Sequence, residues 1–164
     1  MTVKNTPAKV RINNVDTIVE LNDTETLTNK TLVLPVINGI KESWTVDSSS
    51  AIGASPTLNV SSSTAFLYTV VTTTNWTPNF TSVNASLANN QSMTVAVVVN
   101  VANNAAHYAS QIQIDGGTAF TPNWQGGVVP TAGSVLAYDA YTYTIIKTAD
   151  ATFTVFASKT KFDI

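Results

Sequence analysis

The stretch from Ile112 to Lys161 limits the possible folds more than any other. Within it, Tyr138 to Lys147 and Thr152 to Ser158 consist largely of aromatic and β-branched residues, which suit the pleated, half-buried surface of a strand. Asp115-Gly116-Gly117 and Gln125-Gly126-Gly127 stand near them and accept the positive φ of tight turns. Along the first run, Tyr141, Tyr143 and Ile145 fall on one face and Thr142, Thr144 and Ile146 on the other. That period of two predicts a half-buried antiparallel strand.

From Trp44 onward the same grammar repeats. Strands are predicted near Trp44 to Asp47, Thr57 to Val60, Ala65 to Thr72, Phe80 to Val83, Met93 to Val101, Gln111 to Asp115, Phe120 to Trp124, Tyr138 to Lys147 and Thr152 to Ser158. Short strands at this spacing predict an all-β chain, an antiparallel β-sandwich or jelly-roll-like body with little helix. Met93 to Val101 is apolar on both faces except at Thr94 and Asn100, which predicts a central strand covered on both sides. Thr77-Pro78-Asn79-Phe80 recurs as Thr121-Pro122-Asn123-Trp124 and reads as two similar turns.

Charge divides the chain. Residues 1–47 hold eleven charged side chains, whereas residues 48–146 hold only Asp115 and Asp139. The expected organisation is an extended amino-terminal arm, 1–43, and a β-sandwich body, 44–164. The arm is too short and mixed to form its own core, and burying an aliphatic side chain contributes roughly 1.5–3 kcal/mol. Val10, Ile12, Leu27, Leu32, Leu34, Val36 and Ile37 are therefore the candidate assembly and anchoring residues. Packing of the arm on its own body as edge strands is the competing expectation.

Most chemistry is disfavoured. The chain has no cysteine and one histidine, His107, so zinc clusters and thiolate catalysis have no ligand set. Asp115 precedes two glycines and reads as a turn residue. Asp139 sits at a strand start, and serines 48–50 and 61–63 lack a nucleophile motif. No catalytic residue, metal or cofactor is expected, and the chain reads as non-enzymatic. The net charge of −2 gives no footprint for nucleic acid. The apolar run Val95 to Val101 is too short to span a bilayer, and Met1 to Leu21 has no signal-peptide core, so no membrane partner is expected. Trp76 and Trp124, each beside a proline, are candidate glycan contacts if exposed and rim-packing core residues otherwise.

The segments IQIDGG, TPNWQGG, PTAG and DAYTYTIIKTADATFTVFASKTKF closely resemble a domain of structural proteins from marine tailed bacteriophages, including those that infect cyanobacteria. The resemblance spans residues 60–162. Asp23 to Leu32, DTETLTNKTL, is similar to a short motif found ahead of the distal domains of phage fibre and appendage proteins. The resemblance implies a virion component assembled in the host cytoplasm: a tail-fibre-like protein, or a capsid or tail decoration. It also implies self-association as a homotrimer and contact with other virion proteins. A carbohydrate-binding module that recognises a host-surface glycan is the alternative.

Overall fold

Strands form where the β-branched and aromatic runs lie. The computed structural model describes residues 41–101 and 106–163, and nine strands follow one another in it: β1 (Thr45–Asp47), β2 (Thr57–Asn59), β3 (Ala65–Tyr68), β4 (Asn79–Thr81), β5 (Ser92–Asn100), β6 (Gln113–Ile114), β7 (Asn123–Trp124), β8 (Ala137–Ala149) and β9 (Thr152–Asp163). Helix is confined, among the described residues, to α1 (Val83–Ser86) and a 3-10 turn at Gln125–Gly127. Residues 1–40, with all seven aliphatic residues expected to dock, Val10, Ile12, Leu27, Leu32, Leu34, Val36 and Ile37, lie outside the described residues. The body begins at Lys41. Thr64 Oγ1 donates to Glu42 Oε1 (2.7 Å) and Ser63 Oγ to Ser43 O (3.1 Å), so residues just before β1 already belong to it.

The strands make two sheets: a large one in the order β1-β3-β5-β8-β9-β7 and a small one in the order β2-β4-β6. Through the first seven strands the chain alternates between the sheets. The first four strands therefore each pair with the next but one and run parallel to it: β1 with β3, β3 with β5, β2 with β4, and β4 with β6. Among the described strands only β5-β8 and β8-β9 are antiparallel pairs, and β7 joins β9 in parallel. The described residues are β-rich as expected, and the expected antiparallel pairing is corrected to mixed sheets. Period-two patterning reports which face is buried, not strand direction. Direction follows from whether the next segment turns back into the same sheet or crosses to the other.

The inner faces share one core. Leu58, Phe80 and Ile114 come from the small sheet, and Phe66, Val95, Val97, Val99, Tyr141, Tyr143, Ile145, Val155 and Ala157 from the large one. β8 behaves as its alternation predicts, with Tyr141, Tyr143 and Ile145 buried and Thr142, Thr144 and Ile146 half-buried. β5 is an interior strand of the large sheet, but its second face, with Ala96 and Val98, is only half-buried. Coverage on both sides is therefore corrected to coverage on one. The repeated Thr-Pro-Asn-aromatic motif starts β4 and β7 rather than forming turns, and sets Phe80 and Trp124 5.1 and 6.2 Å from the Tyr143 ring.

One close approach holds the connection before β8. Gly133 N donates to Ala106 O (2.8 Å), and a Cβ at Gly133 would lie 2.0 Å from the carbonyl oxygen of His107. Both neighbours are backbone, so nothing can rotate away. Gly133→Ala should destabilise the body by about 1–3 kcal/mol, read as a lower melting temperature. An unchanged melting temperature would show that the two segments separate freely.

Candidate functional site

The two tryptophans proposed as glycan contacts are core residues. Trp76 is 3% exposed and Trp124 7%. Their rings meet Tyr141 edge-on at 5.4 and 6.3 Å, and Trp124 Nε1 donates to Ser110 O (3.2 Å). Neither ring is exposed enough for a sugar to stack on it, so of the two expected roles Trp76 and Trp124 take rim and core packing and not glycan contact.

The isolated carboxylates are engaged in structure. Asp115, at φ 49°, accepts from Val83 N (3.1 Å) and Asn84 N (2.8 Å), and so caps the first amides of α1 from a distant segment. Lys147, almost fully buried, serves the other end of α1, donating to Asn84 O (2.9 Å) and Leu87 O (3.0 Å). Asp139 is fully buried. Its Oδ2 accepts from Ser134 N (2.9 Å) and Lys159 Nζ (3.3 Å), while Oδ1 has no partner among the described residues. Lys159 Nζ also donates to Ala132 O (3.0 Å), so the ion pair pins the loop at 132–134 against β8 and β9. Among the described residues, no three His, Cys, Asp or Glu side chains converge as a metal site, and no helix is long and apolar enough to cross a membrane.

Burial of tyrosine has a consequence for pH. Burial raises the Tyr143 phenol well above its ordinary value, with neighbouring Tyr141 adding to the shift; Tyr141 is raised by burial and by the Asp139 charge, against the Ala109 N–H that donates to it. Tyr68 is raised by burial and by Asp47. Above the unfolded-chain value of about 10, the folded state therefore holds protons that the unfolded chain has lost. These groups leave stability unchanged below about pH 10 and lower it as pH rises further. Urea midpoints measured across that range should fall, with ionisation of Tyr141 and Tyr143 appearing together with unfolding. Tyrosinate absorbance of the fully folded body that is lost in Tyr141→Phe or Tyr143→Phe would contradict this.

The surface features lie elsewhere. Even-numbered positions of β8 and β9 form the outer face of the large sheet, and Phe156, 51% exposed, stands on it opposite Thr144. A groove of about 410 Å³ surrounds this ring, bordered by Asn123, Gln125, Thr142, Thr144 and Ser158 and floored by Trp124 and Ala157. A smaller depression of about 230 Å³ adjoins it at Gln125 and Ser158 and reaches Val128 and Lys159. The connection from β7 to β8 exposes four aliphatic side chains, Val128 at 73%, Leu136 at 63%, and Val129 and Val135. Leu136 is held at φ 55°, a strained conformation for a leucine.

Phe156 was legible as an aromatic on the polar side of an alternating strand, between Thr154 and Ser158. Composition alone does not assign the face that each aromatic of β9 takes. No protein-family model, curated protein or solved structure matches this chain.

Proposed function

We propose that the chain is a non-enzymatic structural subunit of a bacteriophage virion, a homotrimeric head or tail appendage or decoration held on the particle by its amino-terminal arm, residues 1–43. The reading starts from the sequence resemblance. The observation that supports it is the exposed aliphatic group Val128, Val129, Val135 and Leu136 on one connection, in a body where residues 48–146 carry two charges. Isolated exposed apolar side chains are ordinary, but several on one connection mark a contact surface. The scarcity of surface charge removes the usual barrier to association. Leu136 gains from such a contact in particular, since it holds a strained backbone to present a side chain to water.

Sedimentation of the full chain tests the assembly. A trimer is expected, with Leu136→Glu dissociating it while leaving the fold intact. Removal of residues 1–40 should leave a folded body that no longer enters particles. A full chain that stays monomeric at the highest attainable concentration would defeat the trimer. A truncated body that still enters particles would defeat the anchoring role. Turnover of capsule or cell-wall polysaccharide would defeat the non-enzymatic reading.

A further inference from the structure

We propose that the groove around Phe156 is a binding site for a neutral saccharide, independent of the assembly role above. Four features of its wall fit such a ligand. First, the Phe156 ring is half exposed on a flat sheet surface, and an exposed aromatic face is where the C–H side of a pyranose packs. Second, the ring is bordered by two amides and three hydroxyls, Asn123, Gln125, Thr142, Thr144 and Ser158. Gln125, Thr142 and Ser158 have no side-chain hydrogen bond to any described residue, while Asn123 Nδ2 donates to Val155 O (3.2 Å), which orients the amide and leaves Oδ1 as an acceptor. A few convergent polar groups around an apolar centre are the usual make-up of a ligand site, and the groove's volume is within the usual range.

Third, the groove wall carries no ionisable side chain. Lys159, in the adjoining depression, already donates to Asp139 and Ala132. A charged ligand would find no counter-ion here. An apolar protein surface would strip water from five polar groups and return no hydrogen bond, which is costly. A polyhydroxylated ring matches both the aromatic face and the polar border. Fourth, the groups are held in place. Thr142 and Thr144 lie on β8 between β5 and β9, and Phe156 and Ser158 on β9 between β8 and β7. A site on paired strands is preorganised and loses little conformational freedom on binding.

Titration of the full chain with maltohexaose, cellohexaose, mannohexaose and chitohexaose, and with an alginate oligomer as anionic control, tests the proposal by calorimetry. Saturable binding to at least one neutral oligomer is expected, weakened about tenfold or more by Phe156→Ala, weakened by Gln125→Ala and retained by Phe156→Tyr. Because Phe156 and Gln125 are exposed, the variants should keep the parent melting temperature, so lost binding is not lost folding. No saturable response to any neutral oligomer overturns the proposal. So does binding that survives both alanine variants, or a preference for alginate. Self-association abolished by Phe156→Ala without any saccharide response would also overturn it, and would assign the groove to a second copy.

Discussion

Trp76→Ala and Trp124→Ala are each expected to lower the unfolding free energy by about 3–5 kcal/mol, an effect on folding and not on ligand contact. Both rings are almost fully buried, and both pack edge-on against Tyr141. Truncation would open a cavity between the sheets that the short strands β4, β6 and β7 cannot close without losing their few ladder bonds. Trp124→Ala also deprives Ser110 O of its donor. A domain of this size has roughly 5–15 kcal/mol to lose, so either variant should be partly unfolded under mild conditions, with a urea midpoint far below the parent's. Phe156→Ala provides the contrast, since half of that ring already faces water and its removal should leave the midpoint close to the parent's. Equal midpoints for Trp124→Ala and Phe156→Ala would refute the packing described between the sheets.

Strand positions were legible because they depend on local composition. Each predicted segment from Trp44 onward overlaps an observed strand, and the turns at Asp115-Gly116 and Gly126-Gly127 adopt the positive φ their residues favour. Pairing was not legible. The winding between two sheets depends on how connections such as 48–56 and 69–78 travel, and their Ser, Thr, Asn and Pro content allows a return to either sheet. β9 continues five residues past the predicted end at Ser158. There Lys159, Lys161 and Asp163 replace the apolar positions, and the alternation is hidden unless charge is read as one side of a strand.

The same alternation held information about the buried charges. Asp139 and Lys147 share the odd-numbered face of β8 with Tyr141, Tyr143 and Ile145, so the period alone places both inward. What it does not supply are the partners, because Lys159, Asn84 and Leu87 are distant in sequence. Helix α1 shows the consequence. Its four residues have no local side-chain cap, and it persists because Asp115 and Lys147, from different segments, satisfy its two ends. Phe156 is open to the same reading, whereas residue type, the feature that singles out Trp76 and Trp124, says little about exposure.

Tyr143→Ala is expected to cost about 3–5 kcal/mol, whereas Tyr143→Phe is expected to raise stability by about 1–2 kcal/mol. The ring is fully buried and packs on Phe80, Trp124 and Tyr141, but its hydroxyl has no partner among the described residues. Phenylalanine keeps the ring contacts and removes a buried polar atom that returns nothing for its lost hydration. Tyr141 should respond in the opposite direction. Its hydroxyl accepts from Ala109 N (3.3 Å), and Ala109 is itself fully buried, so Tyr141→Phe leaves a buried N–H without an acceptor, at a cost of about 1–3 kcal/mol. The two rings are stacked with centroids 6.3 Å apart and planes within 8°, which makes the change in packing at the two positions nearly the same and isolates the hydrogen bond. Urea midpoints of the two phenylalanine variants should therefore move to opposite sides of the parent. Movement in the same direction would mean that both hydroxyls are equally satisfied, or equally unsatisfied, in the folded chain.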